Sequence, residues 1–307
     1  MKILFVGRGT IATQYAWAME KSGHCVEFFV RKGRKEVYGD SIGLEIWDAR
    51  KKRKLVKENW NVKFVDEISA EHDYDVIFVS VNTWQIKSVT DYFTERVGNA
   101  SVLFFNNIWQ DLQSTAEPIP MNQVIFGFPG AGGGYEGNRL RGGFLKNIFL
   151  ESPRSGTEQR HKEILELFQS GGFKVSLLKD IQSWLWNHFA VNAAMEIELL
   201  RGGDMSFSEM MQDSQALKNI GLNLREIVPV LKAKGSKMDG ITFVFAYLPS
   251  NFVGFLLHKV IFAPNSLPRL FMEYSNNKAG AVEQIAIEAK KLKVSVPRLD
   301  CFKFDSL

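Results

Sequence analysis

The segment Lys2-Ile3-Leu4-Phe5-Val6-Gly7-Arg8-Gly9-Thr10-Ile11-Ala12 decides the fold, because a short apolar run leads directly into a glycine turn. The run predicts a buried strand, and the next residues, Thr13–Ser22, predict a helix. A GxGxxA turn between such elements is typical of dinucleotide sites. The glycines permit the tight turn and admit a pyrophosphate, and the small sixth residue allows close helix–strand packing. The cofactor contacts predicted from this turn are Gly7, Gly9, Thr10, Ile11 and Ala12.

Similar short apolar runs recur through the first half of the chain, separated by helical segments, and predict a parallel sheet. The predicted strands are Cys25–Val30, Val76–Val81, Ser101–Phe105, Val124–Phe128, Phe144–Glu151 and Phe173–Leu178. From about Gln182 the sequence predicts helices nearly throughout. The expected fold class is therefore α/β, with a Rossmann-type dinucleotide-binding domain at residues 1–180 followed by an all-α C-terminal domain at residues 181–307.

Three segments do not follow this pattern. The basic stretch Arg50–Lys54 predicts a solvated hairpin or loop at the surface. Gly130–Gly137 holds five glycines in eight residues and predicts either a mobile loop over an inter-domain cleft or a plain flexible connection. The apolar stretch Phe243–Phe262 is interrupted by Pro249 and Lys259, which favours a broken, buried helical segment over a membrane span.

Composition excludes several classes of protein. The 307 residues are 45% hydrophobic and 23% charged, which is ordinary for a folded globular chain of about two domains. The formal net charge of +4 is too small to indicate a nucleic-acid partner. Cys25 and Cys301 are expected to be reduced thiols, and no metal site is expected. The first apolar run is too short for a signal peptide, so the expected location is the cytoplasm.

The residues after the predicted second strand bear on the choice of dinucleotide. NAD binding calls for an acidic residue there, which accepts the ribose 2′-hydroxyl. Here the strand is followed by Arg31-Lys32-Gly33-Arg34, with no acid before Glu36. A guanidinium pairs bidentately with a 2′-phosphate, whereas a carboxylate would repel it. We therefore predict NADP(H), with Arg31 and Lys32 as contacts; the alternative is a solvated basic loop.

Most of the chain resembles the ketopantoate reductase (2-dehydropantoate 2-reductase) family. Gln85 matches the family's cofactor-side Gln, although Asn82 stands where a Lys is usual. Asn107 matches the Asn that the family places between nicotinamide and substrate, although Ile108 replaces a glycine. Ser266 matches a substrate-side Ser. The resemblance implies a cofactor contact at Gln85, a cofactor and catalytic contact at Asn107, and a substrate contact at Ser266.

The family's catalytic residues are replaced in this chain. Its Lys, Asn and Asn at four-residue spacing correspond to His188, Asn192 and Glu196, which share one helical face. Its later Glu corresponds to Asn277, or to the neighbouring Lys278. We expect His188 to donate the proton as an imidazolium with an ordinary pKa of about 6.5. Asn192 and Asn107 are expected to hydrogen-bond substrate oxygens.

These residues also have other interpretations. His188 is equally well explained as a packed histidine, and Asn192 as a helix–helix hydrogen bond. Glu196 is predicted at the substrate, where it would raise the pKa of His188 or repel an acid. Arg269 and Lys278 are cations available to an anionic substrate, or simply solvated.

Three functions remain open at the level of sequence. The first is an NADPH-dependent reductase of a small 2-oxo acid or related ketone, acting in the inter-domain cleft. The second is a catalytically silent NADPH-binding sensor or partner-binding protein. The third is an imine or opine-type reductase with the same cofactor site. The expected partner is a small-molecule substrate, without nucleic acid or membrane, and a homodimer is an option.

Overall fold

The computed structural model describes residues 1–203, 205–275 and 280–302. The chain divides into two compact units. The first contains Met1–Asn106 and Gln110–Ile181. The second contains Asn107–Trp109 and Gln182–Leu307. The first unit is α/β and the second is helical, which confirms the predicted fold class.

All the strands of the described chain lie in the first unit. They are β1 (Lys2–Val6), β2 (Cys25–Phe29), β3 (Ser41–Asp48), β4 (Lys54–Asn61), β5 (Phe64–Val65), β6 (Val76–Val79), β7 (Ser101–Phe105), β8 (Val124–Phe128), β9 (Ala131–Glu136), β10 (Arg139–Phe144), β11 (Asn147–Glu151) and β12 (Lys174–Leu178). The helices of this unit are α1 (Thr10–Glu20), α2 (Lys35–Tyr38), α3 (Ile86–Phe93), α4 (Leu112–Ala116) and α5 (Glu158–Ser170).

Eight strands form the main sheet, in the order β12-β11-β8-β7-β6-β1-β2-β5. Every neighbouring pair is parallel except β8 and β11. The strand β1 lies between β2 and β6, in a register that places Phe5 beside both Phe28 and Phe78. The central strand β6 is apolar along its whole length because both faces of the sheet are covered there; Val76–Val79 is completely buried. The turn after β1 therefore opens at the carboxyl edge of a parallel sheet.

A second sheet has the order β4-β3-β10-β9, and the glycine-rich segment forms its edge strand. The prediction of a loop or flexible connection at Gly130–Gly137 was therefore wrong. Glycine is required here by close backbone approach: a Cβ on Gly133 would lie 2.2 Å from the carbonyl oxygen of Arg141. Helix α1 packs on β9 and β10, and the amide Nε2 of Gln14 donates to the carbonyl oxygen of Gly132 at 3.2 Å.

The basic stretch Arg50–Lys54 lies at the turn of the β3–β4 hairpin, as the hairpin prediction requires, but Arg50 is not a surface residue. Its guanidinium pairs with Asp48 at 2.7 Å and donates to the carbonyl oxygen of Gly171 at 2.6 Å. The guanidinium also lies 5.0 Å from the ring centre of Phe144. Arg50 thus ties the β3–β4 connection to the core of the first unit.

The second unit consists of helices. They are α6 (Ile181–Arg201), α7 (Phe207–Met210), α8 (Ser214–Ala233), α9 (Gly240–Tyr247), α10 (Ser250–Leu256), a π-helical turn (Leu257–Ile261), α11 (Leu267–Glu273) and α12 (Ala281–Leu292). Asp213 begins α8 by accepting hydrogen bonds from two backbone amides, and Asp239 begins α9 by accepting one. These caps fix where α8 and α9 begin.

The segment Phe243–Phe262 is broken at Pro249, as predicted, but it is not buried throughout. Phe243 is 56% exposed and Phe255 is 58% exposed. The burial expected from its apolar composition was therefore wrong, since only one side of α9 and α10 faces the core of the second unit. No helix in the described part of the chain is long and apolar enough to cross a membrane.

Candidate functional site

The glycine turn after β1 has the backbone geometry that a phosphate-binding turn needs. Gly7 has a φ of 81°, a left-handed conformation that favours glycine, and its amide donates to the carbonyl oxygen of Phe29 at 2.8 Å. Gly9 is the N-cap of α1, with φ −71° and ψ 167°. Without a side chain on Gly9, an anion can approach the first amides of the helix.

The N-terminus of α1 is left open. Within the described residues no side-chain hydrogen bond caps it, and its first turn contains no acidic residue. The amides of Thr10, Ile11 and Ala12 have no intrahelical acceptor at this position in a helix, so they can donate to an anion. The five residues of the fingerprint thus form the turn and the uncapped first turn of α1; their contact with a cofactor stays a prediction.

The cations that follow β2 are all exposed, and the turn is formed by Gly33, whose φ is 78°. The guanidinium of Arg34 lies 5.2 Å from the ring centre of Tyr38 and donates to its hydroxyl at 3.4 Å. Within the described residues, Arg31, Lys32 and Arg34 form no ion pair. Lys35, the next cation, does pair with a carboxylate, that of Asp66 at 3.7 Å.

Arg8 joins this cluster, and its role was missed at the level of sequence. Its guanidinium lies between two rings, 4.7 Å from the centre of Tyr38 and 4.5 Å from that of Tyr135. Its Nη2 donates to the Oδ1 of Asn138 in the β9–β10 turn. The side chain thus extends from the glycine turn to α2 and the second sheet. Its long reach was the only signal in the sequence, because its neighbours come from distant segments.

Gln85 lies in a short 3-10 turn after β6 and closes a reciprocal cap. Its Oε1 accepts the backbone amide of Asn82 at 3.0 Å, while the Asn82 side chain accepts from the backbone of Gln85. The two side chains hold the turn at the carboxyl end of β6 in one conformation. A cofactor contact at Gln85 remains a prediction.

Asn107 belongs to the second unit, whereas the predicted division placed it in the first. The reason lies in Trp109, two residues further along. The ring of Trp109 stacks on Phe189 at 5.1 Å, and its carbonyl oxygen accepts a hydrogen bond from the indole Nε1 of Trp186 at 2.7 Å. Both partners are on α6, so Asn107 is anchored to the helix that carries His188.

His188 is partly buried and stacks on Trp184, with ring centres 5.3 Å apart and planes 9° apart. Burial lowers the pKa of His188 to about 4, although the carboxylate of Asp239 opposes the shift. The expectation of an ordinary pKa is therefore wrong, because it ignored the desolvation of the ring. His188 is a neutral imidazole at neutral pH. One turn further on, Asn192 is partly exposed.

The remaining predicted substrate contacts have structural partners. Glu196 is 7% exposed, and its two carboxylate oxygens accept the backbone amides of Gly280 at 3.0 Å and Ala281 at 2.8 Å. Ser266 is the N-cap of α11; its hydroxyl accepts the amide of Arg269 and donates to a backbone carbonyl. Asn277 and Lys278 lie outside the described residues. Substrate contacts at Glu196 and Ser266 stay predictions.

We expect Glu196→Gln to lower the free energy of unfolding by about 2–3 kcal/mol, because the glutamine amide can accept only one of the two backbone amides at the start of α12, and that remaining hydrogen bond loses its charge assistance. Urea denaturation measures this. Glu209→Gln is the matched control, since Glu209 caps α7 from an exposed position and should cost less. A change in substrate KM with unchanged stability would instead assign Glu196 to the substrate.

The family model described as Ketopantoate reductase PanE/ApbA matches residues 3–139. No curated protein matches the sequence. Among solved structures, D-mandelate dehydrogenase with NADH and anilino(oxo)acetate is similar at a TM-score of 0.75 and 17% identity, covering 98% of this chain and 95% of that one. The ketopantoate reductase of Staphylococcus aureus is similar at a TM-score of 0.63 and 14% identity, covering 97% of this chain and 95% of that one. The 2-dehydropantoate 2-reductase of Methylococcus capsulatus is similar at a TM-score of 0.66 and 16% identity, covering 98% of this chain and 94% of that one.

Proposed function

We propose, from the ketopantoate reductase domain that residues 3–139 carry, that this chain is an NADP(H)-dependent oxidoreductase reducing the carbonyl of a small 2-oxo acid or related ketone to an alcohol. The observation that carries the proposal is the open N-terminus of α1 beside a cluster of cations that have no carboxylate partners in the described chain. An uncapped helix end and unpaired guanidiniums together suit a pyrophosphate and a 2′-phosphate.

The cofactor fits the residues of the first unit. Gly7 and Gly9 leave space for the pyrophosphate, and Arg31 and Lys32 supply positive charge next to it. When bound, the reduced nicotinamide supplies the hydride. A nicotinamide dinucleotide is supported by the family and the fold, and the preference for NADP(H) over NAD(H) rests on the cations and the missing acid after β2.

The substrate side is assigned to the second unit. There α6 carries His188 and Asn192, and Asn107 is anchored to the same helix. With its lowered pKa, His188 would donate a hydrogen bond from one ring N–H to the substrate carbonyl oxygen, where negative charge develops as the hydride is transferred; the proton that completes the alcohol would then come from solvent. The amides of Asn107 and Asn192 would orient the carboxylate of a 2-oxo acid.

One assay tests this proposal: oxidation of NADPH followed against a panel of 2-oxo acids, including ketopantoate and aromatic 2-oxo acids. We expect turnover of at least one, with kcat/KM lower for NADH than for NADPH. Measurement of NADPH binding by fluorescence accompanies the assay. Tight binding without turnover of any ketone or imine would contradict the reductase.

That last outcome would favour a second candidate, a silent NADPH-binding sensor or partner-binding protein. The observation in its favour is the substitution of the family's catalytic Lys and Glu, by His188 and by Asn277 or Lys278. The cytoplasmic location and a homodimeric assembly stay predictions of the same proposal; the Staphylococcus aureus ketopantoate reductase is described as dimeric.

A further inference from the structure

We propose that Arg8, the residue between the two glycines of the turn, determines the preference for a 2′-phosphorylated dinucleotide, with Tyr38 as its positioning residue. The inference rests on the proposed NADP(H) cofactor and concerns which side chain binds its 2′-phosphate. Arg31 and Lys32 are the residues that sequence position suggests, but both are exposed. The arginine that the fold holds in place is Arg8.

Arg8 and Arg34 share one aromatic ring. The guanidinium of Arg8 lies 4.7 Å from the ring centre of Tyr38, and that of Arg34 lies 5.2 Å from the same centre. Tyr38 closes the short helix α2, which starts directly after the basic turn. The ring therefore brings a cation from the glycine turn and a cation from the basic turn to one place, at the edge of the sheet where a ribose attached to the pyrophosphate would lie.

The charge of this cluster is uncompensated. Within the described residues, Arg8, Arg31, Lys32 and Arg34 form no ion pair, although Lys35 finds Asp66 at 3.7 Å. The Nε of Arg8 is buried without an acceptor in the described part of the chain. Four like charges beside an open helix N-terminus repel one another and would be stabilised by a dianion such as a phosphate monoester.

Arg8 is also preorganised. The ring of Tyr135 lies 4.5 Å away on β9, and Asn138 accepts a hydrogen bond from Nη2. Tyr135 is itself tied to α1, since its hydroxyl lies 2.8 Å from the Oγ1 of Thr13. A side chain that is already held loses less rotamer freedom on binding than the exposed Arg31 and Lys32. The second sheet, with its glycine-rich edge strand, thereby acquires a role in cofactor selection.

Measurement of ligand binding tests the role of Arg8 without depending on enzyme turnover. Calorimetry compares 2′,5′-ADP with 5′-ADP, and NADPH with NADH, for the wild type and for Arg8→Met, Arg8→Lys and Tyr38→Leu. We expect Arg8→Met to raise the Kd of the 2′-phosphorylated ligands at least tenfold and that of NADH less than threefold. Arg8→Lys should lose less affinity than Arg8→Met, because lysine keeps the positive charge. It should not reach the wild-type affinity, because an ammonium group cannot pair bidentately with a phosphate as a guanidinium does. Tyr38→Leu should raise the ratio of the Kd of NADPH to the Kd of NADH, as Arg8→Met does.

Arg96→Met is the matched control, because Arg96 also stacks on a tyrosine, at 4.8 Å from the ring centre of Tyr92, but belongs to neither the glycine turn nor the basic turn. Its ratio of Kd values should equal that of the wild type. If Arg8→Met weakens NADPH and NADH equally, or weakens neither, Arg8 only supports the turn and the inference is overturned. A wild type that binds no dinucleotide would overturn the proposed function itself, which the NADH measurement distinguishes.

Discussion

Gly9→Asp is expected to weaken dinucleotide binding at least 100-fold while leaving α1 as stable as before. Gly9 is the N-cap, and its backbone, with φ −71° and ψ 167°, suits aspartate. A Cβ there would lie 3.5 Å from the carbonyl oxygen of Ser80, an ordinary contact. Aspartate caps helices at least as well as glycine, gaining a few tenths of a kcal/mol, and it interacts favourably with the helix dipole. The new carboxylate would occupy and repel the position of the pyrophosphate.

Fluorescence titration with NADPH measures the expected loss of binding in Gly9→Asp, and thermal unfolding measures its expected unchanged stability. Gly9→Asn separates charge from bulk, because asparagine has the same shape and also caps helices. We expect Asn to weaken binding about tenfold less than Asp, with the same midpoint of unfolding. Retention of NADPH affinity in Gly9→Asp would show that the dinucleotide does not use the start of α1.

The main sheet could be predicted from sequence because each strand and turn is marked by a pattern within a few consecutive residues. Runs such as Val76–Val79 are apolar without alternation since both faces are covered, and the turn at Gly7 follows the first of them. The second sheet could not be predicted in the same way. Its strand β9 is glycine-rich because β10 and α1 approach it closely, and α1 is far away in sequence. Composition alone indicated flexibility there.

The candidate site shows the same division. The fingerprint and the basic turn have fixed spacing along the chain, so Gly9 and Arg31 could be proposed from sequence. The stacking of Arg8 between Tyr38 and Tyr135 depends on three segments meeting in space. The pKa of His188 likewise depends on its surroundings, because desolvation has no signature in the order of residues.

His188→Ala is expected to reduce kcat/KM roughly 100-fold, the usual effect of removing one donor to a developing oxyanion. His188→Gln should stay within about tenfold of the wild type, because a neutral N–H donor of similar size is retained. This pattern follows from the lowered pKa, which leaves His188 uncharged at neutral pH. Equal losses in both variants, with an inflection near pH 6.5 in the wild type only, would restore the imidazolium mechanism.

The lowered pKa of His188 also makes the free energy of unfolding depend on pH. The folded value of about 4 lies below the unfolded value, so folding favours the neutral ring. The contribution, up to about 3 kcal/mol, is complete above pH 6.5 and is lost as the pH falls from 6.5 towards 4. Urea denaturation at pH 7.5 and pH 5 should therefore show a decrease about 2 kcal/mol larger in the wild type than in His188→Gln. Because other titrating groups, such as His24, are common to both proteins, equal decreases would mean that the ring of His188 is solvated in the folded state.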